Sequence, residues 1–458
     1  MLKTLSLISL AILLSSCSAY LSDYERPSMP YLNLYAQAYK FTGNNIAKNY
    51  WQEFSDKKLD DLVNKALLNN FDLNKACLNV QKALIAVDIS GTQRHPTANA
   101  SLGVEASRAL DYHQSMQKKT KMNVGLSYQI DLFGKIEALN QKTLQMYKAT
   151  AYDYLTMRLT VIEAVANAYW QYAFAKEALN IATLDLDDSN KRLKFVLAKY
   201  AQGAANSLDV SDAKINHLKV QRALDAKYDE LQKAKTALAL LEGEDPAFNF
   251  DIGSLDDAVL PEFSLDIPAK LLEHRPDLMA KEATLKSFYS QYDEAKLAFF
   301  PDITFSSNLN LGSATSFARF FSDPIGALGT AITLPFLNFN ELSLREKSAL
   351  KDIDIAKLDF TSSYIKAVSE VYDAVSSIDF YKKEVVNTKK QYDLSFSNYN
   401  LYFTRYKSGL VSLSDFLDAS DIRRSSHMSY LQSKRNLLQA TMTLMSALGG
   451  DTPYMQKP

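Results

Sequence analysis

The sequence predicts a mainly α-helical fold with a transmembrane β-barrel, built from two internal repeats. Three observations lead there: landmark residues recur half a chain apart, long stretches lack glycine and proline, and four segments alternate polar with apolar residues. The repetition is read directly. Asp72-Leu73 returns as Asp277-Leu278 and Pro96 as Pro301, both 205 residues on. Asp131-Leu132 corresponds to Pro335-Phe336, 204 on, while Tyr200, Gly203, Asp209, Asp212 and Ala213 return 206 on as Tyr406, Gly409, Asp415, Asp418 and Ala419. A constant offset marks one structural plan written twice.

Taken in order, the chain opens with Lys3, an apolar run from Leu5 to Leu14 and small residues ending at Cys17, the layout of a secretory signal peptide. That run is too short for a permanent membrane helix. Leu14-Ser15-Ser16-Cys17 resembles a bacterial lipobox, whose cysteine is lipid-modified, as by palmitate, and becomes the first mature residue. The alternative is an ordinary signal peptide with an incidental cysteine. Ser18, rather than Asp, after the cysteine favours passage to the outer membrane in enterobacterial lipoproteins. Cys77 then remains alone, excluding an intramolecular disulfide. It falls in a helical pattern with Leu73, Ala76 and Val80, which predicts a small buried hydrophobe. No later apolar run reaches the roughly 18 residues of a membrane helix, so any crossing falls to strands.

Glycine and proline interrupt helices, and both are missing from Lys135 to Gln202 and from Phe336 to Ser408. Each run stops at a lone glycine, Gly203 or Gly409, and a second run follows, Ala204 to Glu242 or Leu410 to Leu448. This predicts a very long helix, a tight reversal and a shorter returning helix, twice. The first long helix would measure about 100 Å at 1.5 Å per residue. Its support is a heptad pattern: Leu144, Ala151, Val165, Tyr172, Leu179, Leu186, Leu193 and Tyr200, interleaved with Tyr147, Tyr154, Val161, Ala168, Ala175, Ala182 and Val196. A second stripe, Leu155, Leu159, Ile162, Ala166, Tyr169 and Ala173, gives the helix neighbours on another face, as in the wall of a tube.

Between the helical parts, Met122, Val124, Leu126, Tyr128, Ile130 and Leu132 alternate with polar or small residues, as do Ala98, Ala100, Leu102, Val104 and Ala106. The second half supplies Ile303, Phe305, Leu309 and Leu311, then Leu328, Thr330, Ile332 and Leu334. Each is long enough to cross a bilayer as a tilted strand; four strands of a soluble sheet are the other reading. An open edge cannot survive in lipid, so four membrane strands require further copies. Two copies give eight strands and three give twelve; the wider barrel leaves room for water and favours a homotrimer.

Charge argues against a polyanion partner, with 51 basic against 52 acidic residues, so nucleic acid is not expected. His95, His113, His217, His274 and His427 lack metal-ligand spacing, and no Walker loop, dinucleotide fingerprint or nucleophile elbow occurs. No catalytic residue, cofactor or metal is expected.

Several pieces resemble the outer membrane factor family, the TolC-like lipoproteins of tripartite RND-type efflux systems. They are Trp51 and Phe54 followed by Leu59, Leu62, Ala66, Leu67, Asn70, Asp72 and Leu73; Asp131-Leu132-Phe133-Gly134; Arg275-Pro276-Asp277-Leu278 with Phe300-Pro301; Leu334-Pro335-Phe336; and Arg405-Tyr406-Lys407-Ser408-Gly409 with Asp418-Ala419. The resemblance covers the mature chain. It implies a trimer with a twelve-stranded barrel in the outer membrane and a coiled-coil tunnel reaching into the periplasm. The expected parts are a signal peptide at 1–16, the anchor and first helices at 17–95, hairpins at 96–134 and 301–337, helix pairs with tip turns at 135–243 and 338–449, an equatorial linker at 244–270, a second-repeat helix at 271–300 and a tail at 450–458.

The implied partners are a periplasmic adaptor, an inner membrane RND-type pump reached through it, and outer membrane lipid. Cys17 is the implied lipidation site. Tyr200, Gly203, Ser207, Arg405, Tyr406, Gly409 and Ser412 are the implied adaptor-contacting tips. Ser414, Asp415 and Asp418 are the implied periplasmic gate, in which threefold symmetry makes a carboxylate ring that selects cations. Asp415 and Asp418 also suit a helix N-terminus, and Ser414 stands where the family has an apolar residue. The function implied is a passive exit duct for small molecules such as drugs or metal ions. A duct for type I protein secretion and a non-conducting periplasmic coiled-coil scaffold are the other two readings.

Overall fold

The computed structural model describes residues 21–27, 49–107, 116–255, 257–261, 274–313 and 325–450. Cys17, the stretch 1–16, part of 244–270 and the tail beyond Gly450 lie outside the described residues. A 3-10 turn at Tyr50–Phe54 precedes helices α1 (Lys57–Asn69) and α2 (Phe71–Thr92) and strands β1 (Thr97–Ser107) and β2 (Gln117–Ile130). Then come α3 (Lys135–Ala201), α4 (Ser207–Glu242), α5 (Pro276–Leu297), β3 (Asp302–Ser313), β4 (Ile325–Thr333), α6 (Phe339–Lys407) and α7 (Leu413–Ala447). The chain forms two compact units.

The first unit, 1–28 with 78–152 and 279–363, contains one antiparallel sheet in the order β1-β2-β3-β4. Register places Ala100, Val124, Leu309 and Gly326 in one row and Asn99, Gly125, Asn308 and Ala327 in the next. Side chains alternate sides along a strand, so one face is apolar and the other polar or small. A Cβ at Gly125 would crowd the side-chain amide oxygens of Asn99 and Asn308, which would have to turn aside. The apolar face is bare, with Leu102 71 %, Val104 72 % and Leu328 89 % exposed. Among the described residues β1 and β4 each have one strand neighbour, so both sheet edges are open.

Below the sheet, Asp131 starts α3 by accepting from Ile136 N at 3.0 Å and Glu137 N at 2.8 Å. The segment 21–27 lies antiparallel along α5: Ser22 N donates to Asp293 Oδ1 at 2.8 Å, the Tyr24 ring meets Tyr289 edge-on, and Arg26 pairs with Glu282 at 3.2 Å. Its N-terminal end is thus at the end of α5 that leads into β3.

The second unit, 29–77 with 153–278 and 364–458, holds the main core. Asp56 caps α1 through Lys58 N and Leu59 N, and its second oxygen accepts from Tyr169 Oη at 2.5 Å. Burial and that carboxylate push the Tyr169 hydroxyl well above the usual tyrosine range. The second stripe of α3 is buried throughout, from Leu155 to Ala173, and Trp170 packs on Phe54 with ring centroids 4.9 Å apart.

Two expectations differ from what is found. Cys77 is exposed, because α2 turns Leu73 into the core and leaves Phe71, Leu78, Ile85 and Ile89 uncovered in the single chain. Further along α3 the buried line is Ala175, Ala178, Ala182, Asp185, Ser189, Arg192 and Val196, whereas Leu184 and Tyr200 are exposed and Leu179, Leu186 and Leu193 are half-buried. Ala175, Ala182 and Val196 keep to the expected heptad, while its other line shifts by one residue, from Leu179, Leu186 and Leu193 to Ala178, Asp185 and Arg192, and admits charge. Among the described residues no helix is long and apolar enough to cross a membrane.

Candidate functional site

Both reversals use one solution. A helix end leaves carbonyls without partners, and a left-handed residue lets the next amides fold back onto them. Gly203 has φ 71° and Gly409 φ 72°. Ala204 N donates to Lys199 O at 2.8 Å, and Leu410 N to Arg405 O at 2.9 Å. A Cβ at either glycine would meet nothing within 4 Å, so the backbone angle alone calls for glycine. The returning helices then start with matching capping boxes, Asn206 with Asp209 and Ser412 with Asp415.

Asp415 Oδ2 accepts from Ser412 Oγ at 2.6 Å and Ser412 N at 3.1 Å, which holds its carboxyl below the usual range. This is the helix-start role, and it occupies a carboxylate expected at the gate. Ser412 likewise serves the turn: Ser412→Ala is expected to weaken the start of α7 by about 0.5–2 kcal/mol. Faster hydrogen exchange confined to 413–417 would register it; unchanged exchange would dismiss the cap as a stabilising contact.

Asp418 and Ser414 are exposed on the side of α7 opposite Leu413, Phe416 and Ala419, and Asp418 has no hydrogen-bond partner among the described residues. Tyr200, Gly203, Ser207, Arg405, Gly409 and Ser412 are exposed as well. Tyr406 is not: it is 7 % exposed and stacked on Phe416, with ring centroids 5.6 Å apart, beside Val196, Ala213 and Leu413. It supports the turn from beneath and cannot present its ring to a partner.

Behind this aromatic cluster lies an ionic one that heptad reading passed over. Asp185 of α3, 3 % exposed, pairs with Arg423 and approaches Arg424, both of α7. Arg423 covers the Tyr399 ring at 4.7 Å, and Tyr399 Oη donates to Asp188 at 3.2 Å. Arg192, 7 % exposed, donates to Ser420 Oγ at 2.8 Å and stands over Phe416 at 5.4 Å; its Nε and Nη2 find no acceptor among the described residues. Burial pushes the Asp185 carboxyl up, while the guanidinium groups pull it down. The available signal was the i, i+7 spacing of Asp185 and Arg192, which places both charges on one helical face. Among the described residues no group of three or more His, Cys, Asp or Glu could hold a metal ion.

The family described as outer membrane efflux protein matches residues 62–244 and 267–450. The chain is 28 % identical to the pyoverdine export outer membrane protein OpmQ of Pseudomonas aeruginosa, over 98 % of this chain and 97 % of that one. It is 26 % identical to the probable outer membrane lipoprotein SilC of Salmonella typhimurium, over 98 % of each. Among solved structures, the CmeC outer membrane channel of Campylobacter jejuni superposes with a TM-score of 0.84 at 22 % identity, over 95 % of this chain and 96 % of that one.

Proposed function

The chain belongs to the outer membrane efflux protein family, and we propose that three copies form a continuous exit duct, each contributing one third of a twelve-stranded barrel. The duct is the outer membrane part of a tripartite efflux system. It carries small molecules such as drugs or metal ions and catalyses nothing; a periplasmic adaptor and an inner membrane RND-type pump supply energy and selection.

One observation carries the reading: a four-stranded sheet, apolar on one face and polar on the other, whose outer strands are exposed along their whole length and whose edges are both open. In lipid every backbone donor and acceptor must be paired, so such a sheet is admissible only when other copies close it. The parallel placement of Gly203 and Gly409, and a family match in two stretches of similar length, support the two-repeat plan. In it the hairpins of 96–134 and 301–337 form the barrel and the helices of 135–243 and 338–449 the tunnel wall. In this reading the stretches from Cys17 to Asn49 and from Gly243 to Pro268, with the short tail after Gly449, form or wrap an equatorial collar.

Cys17 is the lipid anchor in this reading. Residues 21–27, which follow it in the sequence, lie along α5 in the unit that contains the sheet, which supports this reading. Gly203 and Gly409, with Tyr200, Ser207, Arg405 and Ser412, form the surface that meets the adaptor. The carboxylate ring is assigned to Asp418, with Ser414 beside it.

Light scattering of the detergent-extracted protein, corrected for detergent, followed by bilayer conductance of the same sample, tests the duct. A conducting trimer is expected; a non-conducting monomer or dimer would replace the duct with a scaffold. Asp418→Ala is expected to lower cation preference in those recordings, because it removes three carboxylates from one constriction. Unchanged selectivity would take Asp418 out of the gate.

A further inference from the structure

Glu242 ends α4 with a carboxyl group that is 0 % exposed, and neither oxygen has a hydrogen-bond partner among the described residues. Burial without hydrogen bonds disfavours the ionised form. The last turn of a helix also carries the negative end of its dipole, which opposes a carboxylate further. Lys65 of α1 favours ionisation, but its ammonium group is engaged by Glu244 at 2.5 Å, and Glu244, in the segment after α4, repels a second negative charge. The corner also receives Asn70, between α1 and α2, and the Phe71 ring at the start of α2. Asn70 Nδ2 donates to Leu241 O at 3.0 Å while its Oδ1 accepts from Asp72 N and Leu73 N, and a Cβ on Gly243 would stand 3.2 Å from Asn69 O.

We propose that Glu242 is a proton-operated latch: protonated, it closes the corner where the end of α4 meets α1 and the start of α2, and ionised it loosens that corner. The inference is independent of the channel reading. Among the described residues no hydrogen bond compensates the ionised group, so a charge there must be met by water. The corner opens where Leu241 and Gly243 meet Asn69 to Phe71, and that parting admits water to the group.

The direction follows from linkage. Burial pushes the carboxyl up from 4.5 to about 7, so the closed corner holds the proton more tightly than the opened one. Closure is therefore fully favoured below the ordinary carboxyl range, and this advantage is lost as pH rises through about 7. Between pH 6 and 8 that difference predicts about a tenfold rise in the opening equilibrium.

Hydrogen exchange of the full-length protein in detergent, corrected for the intrinsic pH dependence of exchange, reads it directly. Amides of 66–73 and 239–244 are expected to lose about tenfold protection from pH 6 to pH 8 in the wild-type chain. Glu242→Gln, and Glu242→Leu as a second variant should the first fail to fold, are expected to stay protected at both. Equal protection of the wild-type corner at the two pH values, or the same loss in a variant without the carboxyl group, would overturn the latch.

Discussion

Asp185→Ala is expected to destabilise the helix packing near the two reversals by about 3–5 kcal/mol per chain, read as a large drop in the thermal midpoint of the detergent-solubilised protein. The reason is what the substitution leaves behind. Arg192 is buried in the α3–α7 seam, Arg423 and Arg424 are half-buried beside it, and Asp185 is the buried carboxylate that answers them. Arg423 would keep the Tyr399 ring and Arg192 the Ser420 hydroxyl, which are dipoles and not charges. Removing one member of a buried pair strands the other, whereas replacing both by apolar residues of similar size is often nearly neutral. Asp185→Leu with Arg423→Met should accordingly cost less than Asp185→Ala alone. Asp187→Ala serves as the reference: its pair with Lys191 is surface-exposed and screened by water, so the midpoint is expected to stay close to that of the wild-type chain. Similar midpoints for Asp185→Ala and Asp187→Ala would mean that the cluster clamps nothing.

The same cluster marks where sequence reading stops. Gly203 and Gly409 were legible because a left-handed residue ending a long uninterrupted run leaves few alternatives to glycine. The strands were legible because alternation has a period of two, and the four observed strands follow it in register. The seam of α3 was not. Leu179, Leu186 and Leu193 repeat at the same seven-residue spacing as Ala178, Asp185 and Arg192, and hydrophobicity alone chooses the leucines. The structure buries the line of Ala178 instead, beside Ala175, Ala182 and Val196 that the heptad did mark, because Arg423 and Arg424 arrive from α7 to meet Asp185. That partner lies more than 200 residues away in the chain. Glu242 escaped for the opposite reason: an acidic residue at the end of a helix reads as solvated, and only the packed α1–α2 corner makes it buried. Asp415 carried two meanings in the sequence, gate and cap, and its contacts with Ser412 give it the second.

Adjacent residues on β4 separate a membrane barrel from a soluble sheet more sharply than any count of strands. Leu328 lies on the apolar face, level with Ser307, and Ala327 on the polar one, opposite Asn308; both are exposed in the single chain and near the middle of their strand. If the apolar face meets lipid, Leu328→Arg costs about 2–4 kcal/mol at the bilayer midplane, and threefold repetition raises this to about 6–12 kcal/mol for the assembled barrel. That is comparable to the whole stability of an ordinary domain. The expected result is loss of trimer from outer membrane extracts. Ala327→Arg places the same charge in a water-filled lumen, so trimer yield should hold while conductance turns toward anions. Tolerance of both substitutions would indicate a sheet in water, and greater damage from Ala327→Arg would invert the assignment of faces. Because the two sites share strand, depth and exposure, neither general misfolding nor loss of β propensity can imitate the expected asymmetry.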